Sequence, residues 1–332
     1  MTPEARLNED PWQWPVFGTV DDVRPAMAEA RSRSRTAVLA TLYATEGAAP
    51  RGLGAQMLFV EGQPTGFLAG GCIEADVALH AEQVLLDGEP RRLAYGEGGP
   101  ADLPLPCGSR IEVLVERIAP EDGAVTNLLG LTAARRPALW RSDGRRRTCT
   151  PVEEPAEAPD LVVRRYDPVR RLIVVGGEPI GLATARLAVQ AGWEVVLVRP
   201  KGPQAPPPVD GLRYLPAEPA DALADIALDP WTAVALLTHD TGADHEALVA
   251  ALPSPAFYVG VLGSRRRLGE RRARLKAAGV PEAAIARLHA PIGLNLNAEA
   301  PWEIAIAIFA EVIQASAAQR IAADTCGSAE AA

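Results

Sequence analysis

One segment constrains the fold more than any other. Leu172-Ile-Val-Val-Gly-Gly177 is an apolar run ending in glycines, Ile180 to Gly192 has helical character and ends at glycine, and Glu194 to Val198 is again strand-like. A strand, a helix and a strand within about 30 residues form a βαβ unit, whose strands must lie parallel. The pattern repeats downstream. Ala233 to Leu237 and Phe257 to Val261 read as strands, each followed by a helical stretch, Asp244 to Ala251 and Arg266 to Ala278. A final helix is expected from Pro301 to about Ala317, with an apolar stripe at Trp302, Ala305, Ile306, Phe309 and Ile313. Alternating strands and helices imply a parallel sheet covered on both faces.

The first 120 residues read differently. Thr36 to Ala44 is rich in β-branched and apolar residues, and Gln56 to Val60 with Thr65 to Leu68 forms a hairpin around Glu61-Gly62-Gln63-Pro64. Cys72 to Leu86 has helical periodicity, with Ile73, Val77, His80 and Val84 on one face and His80 expected in the core. Ile111 to Val115 alternates as a strand does. The fold class is therefore α/β: a Rossmann-like parallel-sheet C-terminal domain with a smaller α+β N-terminal domain. The expected divisions are an N-terminal domain over 1–120, a connector with a hairpin at Trp140 to Arg146 over 121–168, the Rossmann-like domain over 169–320, and a flexible tail over 321–332.

At 332 residues the chain has the length of two domains. A net charge of −9 argues against non-specific nucleic-acid binding, which depends on neutralising phosphates. No apolar run approaches the roughly 20 residues of a membrane span. Met1 to Asp10 lacks the layout of a signal peptide. Four cysteines make no disulfide scaffold, and the expected location is cytoplasmic.

Two of those cysteines stand in glycine turns. Gly70-Gly71-Cys72-Ile73-Glu74 falls at a strand-to-helix junction, where a helix N-terminus lowers a thiol pKa; a small residue at a crowded turn is the alternative. Pro104-Leu-Pro-Cys107-Gly108-Ser109 presents a second thiol in a stiffened loop before a strand. Cys149 and Cys326 have no such setting. No Cys-x-x-Cys or His-x₃₋₅-His spacing supports structural zinc. In the βαβ unit, Gly176-Gly177-Glu178-Pro179-Ile180-Gly181 occupies the place of the dinucleotide fingerprint, with Gly176 and Gly181 present but Glu178 where the middle glycine belongs. Arg199 stands where a ribose-binding acid is usual, so dinucleotide binding is expected to be impaired or altered. Gly260-Val-Leu-Gly263-Ser264-Arg265 runs from a strand into a helix and offers an anion pocket. Thr238-His239-Asp240 ends the preceding strand, and His289-Ala-Pro-Ile-Gly-Leu294 is a further turn near the same sheet edge.

These residues together resemble the XdhC/CoxI family of xanthine dehydrogenase accessory proteins. The resemblance rests on Thr45-Glu-Gly47, Pro50-Arg51, Gly54-Ala55, Gly70 to Glu74, and Cys107-Gly108 with Ile111 to Glu116. It continues through Leu237 to Asp240, Tyr258 to Gly260, Leu262 to Arg265, His289 to Leu294, and Pro301 with Glu303 to Glu311. It implies a protein that binds molybdenum cofactor, as plain molybdopterin or its nucleotide form. Such a protein shelters the cofactor, supports its sulfuration by a cysteine desulfurase and hands it to a molybdenum hydroxylase apoenzyme. That is the work of a cofactor chaperone rather than a turnover enzyme, and it is compatible with a homodimer. Cys72 and Cys107 become the soft sulfur ligands, and Arg51 or Gly263-Ser264-Arg265 the holders of the pterin phosphate. The family's cysteine-glycine-glycine loop maps to Cys107-Gly108 with Ser109 replacing the last glycine. Ala48 and Ala49 stand where serines are usual, and Gly176-Gly177-Glu178-Pro179 replaces Gly-Ala-Gly-His, which weighs against NAD(P). An NAD(P)-dependent oxidoreductase and a degenerate Rossmann scaffold are the competing readings. The single-site reading expects Cys72, Cys107 and Ser264-Arg265 to face one cleft.

Overall fold

Each half of the chain builds its own sheet. The computed structural model describes residues 12–47, 51–96, 105, 108–152 and 161–329, with side chains described up to 318. It divides into two units, Met1–Pro168 and Val169–Ala332.

The N-terminal unit contains α1 (Arg24–Ser32), β1 (Ala37–Glu46), β2 (Gln56–Val60), β3 (Gln63–Gly66), α2 (Glu74–Asp87), β4 (Arg91–Tyr95) and β5 (Arg110–Ile118). These are followed by α3 (Gly123–Ala133), β6 (Ala138–Ser142), β7 (Arg147–Pro151) and β8 (Val162–Tyr166). The main sheet has the order β3-β2-β1-β5-β4 and is antiparallel throughout. Its β2–β3 turn is tighter than expected: only Glu61 and Gly62 bridge the strands, with φ of 50° and 79°. Two consecutive left-handed residues make the type I′ turn that suits strand twist. Pro64 is tolerated because β3 is an edge strand.

Both faces of β1 are covered, which is why its sequence reads as a continuous apolar run rather than an alternation. Val38, Ala40 and Leu42 pack in one core with Val77, Ala81 and Val84 of α2. Ala37 and Leu39 pack in another with Met27 of α1, Leu128 of α3, and Ala138, Trp140, Cys149 and Tyr166. The second cover comes from the stretch expected to be a connector. Residues 121–168 instead supply α3 and a three-stranded sheet, β7-β6-β8, within the same unit. Five-residue strands studded with arginine give too short a period-2 signal to be recognised. The hairpin tip at Asp143-Gly144 is as expected, whereas residues 153–160 lie outside the described residues.

The C-terminal unit comprises β9 (Arg171–Val175), α4 (Pro179–Gln190), β10 (Glu194–Val198), β11 (Leu212–Leu215), α5 (Pro219–Asp225), β12 (Thr232–Leu236) and α6 (Thr241–Ala251). After these come β13 (Tyr258–Val261), α7 (Leu268–Ala277), α8 (Glu282–Ala286), β14 (Leu288–His289) and α9 (Pro301–Ala329). The order β11-β10-β9-β12-β13-β14, all parallel, is the 3-2-1-4-5-6 arrangement of a Rossmann sheet. One face carries α5 to α8, through Leu223, Leu248, Leu275 and Ile285. The other carries α4 and α9, through Ala185, Ala188, Ile308, Phe309 and Val312.

Helix α9 corrects two expectations. It runs to Ala329, well past Ala317, and its buried residues include Ala305, Ala307, Ile308, Phe309, Val312 and Ser316. Trp302, Ile306 and Ile313, expected in the core, are about half exposed. The helix is apolar nearly all round, so periodicity alone could not choose which face meets α4. For the same reason Pro301–Ala318, with a mean hydropathy of 1.2, is long and apolar enough to cross a membrane, contrary to the expectation that no run would be. One stripe of this segment packs instead in the sheet's core.

Candidate functional site

The Gly70–Glu74 motif forms a loop wrapped around its own carboxylate. Gly70 and Gly71 have φ of 103° and 93°, which only glycine adopts without strain. The backbone thus curls until four N–H groups converge on Glu74, the first residue of α2. Leu68 and Ala69 donate to Oε1 at 3.2 and 2.7 Å; Gly71 and Ile73 donate to Oε2 at 2.9 and 3.2 Å. Glu74 is 2% exposed. Its charge satisfies the donors that a bound anion would otherwise take. Cys72, between these donors, is exposed. Two residues ahead of the helix, its thiol reaches solvent while its backbone is held on both sides.

A turn further on, the Tyr95 hydroxyl donates to Asp76 at 2.6 Å. Burial and that carboxylate push the phenol pKa far up. His80 is not the core residue expected. It is about one-third exposed, 3.6 Å from Asp76, and the buried stripe of α2 is Glu74, Val77, Ala81 and Val84.

Strand pairing brings the second motif to the same end of the sheet. β1 ends at Glu46 opposite Arg110, β4 ends at Tyr95 opposite Ile111, and β3 runs in the same sense as β1. Gly108 and buried Ser109 therefore sit at the end where the chain leaves β3 for Cys72. Gly96 passes so close to Ser109 that a Cβ would strike its carbonyl. Cys107 lies outside the described residues, as do Ala48, Ala49 and Pro50. Arg51 is already engaged: it donates to Asp21, and burial followed by nearby Arg164 lowers its pKa. Arg164 lies 4.4 Å from the centre of the Tyr166 ring and donates to the Gly54 carbonyl. Among the described residues no three His, Cys, Asp or Glu side chains gather as metal ligands. Cys149 is buried, which raises its thiol pKa to about 11 and keeps it protonated.

In the C-terminal unit the strand order reverses between β9 and β12, and a crevice opens beyond such a switch point. Gly176 packs against the Leu237 carbonyl, and Gly181 lets α4 press on the Gly176 carbonyl. The fingerprint's close packing is thus kept. Its phosphate seat is not: the Arg199 side chain lies where a Gly177 Cβ would be, and Glu178 Oε2 is buried with no partner. After β12, Asp240 caps α6 by accepting from the Gly242 and Ala243 N–H groups at 2.8 and 3.1 Å, which lowers its pKa. His239 is exposed beside it. Ser264 and Arg265 begin a short 3-10 turn and are both exposed, with no capping bond from Ser264.

The sequence left Glu311 without a role. Its carboxylate accepts from the Tyr258 hydroxyl at 2.5 Å and the Gly293 N–H at 2.7 Å, and lies 3.2 Å from His289 Nδ1. Burial opposes its charge, but these three contacts outweigh it and hold the carboxyl below the usual range. A depressed acid stabilises the fold above its unfolded pKa and loses that contribution as pH falls through the folded value. Below about pH 4.5 the C-terminal unit should therefore lose stability faster in the wild type than in Glu311→Gln. Urea titrations across that range would show parallel curves if the network did not matter.

A Rossmann sheet with an altered phosphate loop, joined to an antiparallel unit presenting an exposed thiol, defines the class. Residues 172–312 match the XdhC Rossmann domain, and residues 30–96 match the XdhC and CoxI family. The chain is 31% identical over 290 residues to the molybdenum cofactor insertion chaperone PaoD of Escherichia coli, covering 86% of this chain and 85% of that one. It is 28% identical over 320 residues to a probable xanthine dehydrogenase subunit of Bacillus subtilis, covering 84% and 92%. A crystal structure described as a xanthine dehydrogenase from Bacillus halodurans superposes with a TM-score of 0.72 at 26% identity, covering 89% of this chain and 96% of that one. The chain belongs to the XdhC/CoxI family.

Proposed function

We propose that this protein is a maturation factor for a molybdenum hydroxylase. It takes up molybdenum cofactor as cargo, supports its sulfuration by a cysteine desulfurase, and delivers it to a xanthine dehydrogenase-type apoenzyme in the cytoplasm. The observation that carries this reading is the exposed Cys72 thiol on a loop fixed by four hydrogen bonds to Glu74. A presented, pre-ordered sulfur is what a thiolate-binding metal cargo requires. The likeness to a chaperone of molybdenum cofactor insertion over most of both chains supports the same cargo. Cys107, beside Gly108 in the sequence, is the second proposed thiol, and within the C-terminal unit Gly263-Ser264-Arg265 is a separate proposed anion-binding loop. His239, Gly176 and Gly181 frame the switch-point crevice, and a second copy of the chain is a further partner.

Protein expressed in a host that makes the cofactor should retain pterin, read as the fluorescent oxidised product. Cys72→Ala and Cys107→Ala should each reduce retention at least about tenfold, from loss of a metal–sulfur contact worth more than about 1.4 kcal/mol. The exposed position of Cys72 predicts an unchanged thermal midpoint for Cys72→Ala. Equal retention by wild type and both variants would overturn the assignment of the thiols.

A further inference from the structure

A cavity of about 270 Å³ opens between the start of α6 and one face of α7, lined by Thr241, His245, Arg267, Glu270, Arg271 and Arg274. We propose that it binds the phosphate group of a small phosphate monoester. Arg267, at the end of the 3-10 turn that leads into α7, stands four residues before Arg271 and seven before Arg274 of that helix, while Leu275 is buried. Three guanidinium groups on successive turns repel one another. Arg271 shows it: burial first, then Arg267 and Arg274, lowers its pKa against the opposing pull of Asp244.

The carboxylates nearby do not balance these charges. Asp244 is buried, accepts from the Thr238 hydroxyl at 2.7 Å and lies 3.9 Å from Arg271. Burial raises its pKa, while the Thr238 hydroxyl and Arg271 pull it down. Glu270 is exposed. Among the described residues no carboxylate forms an ion pair with Arg267 or Arg274. Arg271 is also fixed in place, donating to the Leu262 carbonyl at 3.2 Å. Thr241 at the start of α6 adds its side chain to the wall, while the Gly242 and Ala243 N–H groups of that helix end are already taken by the Asp240 carboxylate.

Three arginines against the Asp244 and Glu270 carboxylates leave an excess of positive charge, and planar guanidinium groups match phosphate oxygens in pairs. The volume approaches the lower end of small-molecule sites, roughly 300 Å³, and so leaves room for an ester group. The site uses neither thiol, and it stands or falls separately from the molybdenum-cofactor reading.

Calorimetric titration of the full chain with glycerol 3-phosphate and with inorganic phosphate tests it. We expect saturable binding of one equivalent, tighter for the ester. Arg267→Gln and Arg274→Gln should each weaken it at least about fivefold, and Glu270→Gln should strengthen it. Arg33→Gln, whose arginine pairs with Glu29 in the other unit, should leave it unchanged. A second readout is the His245 ring, whose titration by NMR should shift upward when the anion is bound. Absence of saturable binding, or equal binding by wild type and the Arg267→Gln/Arg274→Gln double variant, would overturn the site. Equal affinity for the ester and for inorganic phosphate would overturn the assignment of an ester.

Discussion

Glu74→Ala is expected to destabilise the N-terminal unit by about 4 kcal/mol, taking four stranded N–H donors at roughly 1 kcal/mol each. Glu74 is almost wholly buried and accepts from Leu68, Ala69, Gly71 and Ile73. Alanine removes every acceptor and leaves those donors without a partner. Glutamine keeps one oxygen but turns an NH₂ group toward two N–H groups, so Glu74→Gln should fall between. For a unit of this size the thermal midpoint should drop by about 8–16 °C. The same change frees the backbone around Cys72, so reaction of that thiol with a disulfide reagent should accelerate. Pterin retention should fall as well, even though the thiol remains. An unchanged midpoint would show that solvent replaces the carboxylate at little cost, and the loop would then not be pre-ordered.

Arg147→Met should cost about 3–5 kcal/mol in the same unit, the range for removing one partner from a buried charge cluster. Arg147 Nε donates to Glu116 at 2.9 Å and Nη1 to Asp122 at 2.6 Å; the two carboxylate side chains are 1% and 12% exposed. The Ser142 hydroxyl donates to Glu116 at 2.5 Å, while Glu116 Oε1 has no partner. Burial already raises the Glu116 pKa above its usual value of 4.5, with Arg147 and Ser142 opposing. Without Arg147 it rises further. The folded state then holds a proton that the unfolded state has released, so stability falls as pH climbs above 4.5. The deficit of Arg147→Met should therefore widen toward neutral pH and shrink in the double variant with Glu116→Gln. Urea midpoints from about pH 4 to about pH 8 would measure this. A deficit constant across that range would assign the loss to packing rather than to charge.

This cluster also shows where local patterns fall short. Arg147, Ser142 and Asp122 belong to the stretch expected to be a connector, yet they close the face of the main sheet that α2 leaves open. Their strands are too short and too polar for periodicity to register. β4, β11 and α5 escaped for the same reason, being four to seven residues long. At the site, glycines and cysteines in turns were visible as motifs. Glu74 stood out as part of one, but its use as an internal anchor depends on the curl of the loop. Glu311 lies 22 residues from His289 and 53 from Tyr258, and nothing local marks it as their partner.

Local chemistry was enough to establish the α/β class, the parallel C-terminal sheet and the loss of the fingerprint's middle glycine. Apolar runs ending in glycine, helix stops, and one glutamate where bare backbone is needed carry that information within a few residues. The packed fold was needed to settle which side of α9 is buried, that residues 121–168 complete the first unit, and which arginines share a cavity. Each of those depends on a partner distant in the chain. An all-round apolar helix, an arginine-rich strand and a basic helix face are equally compatible with burial or solvent until the opposing surface is in place.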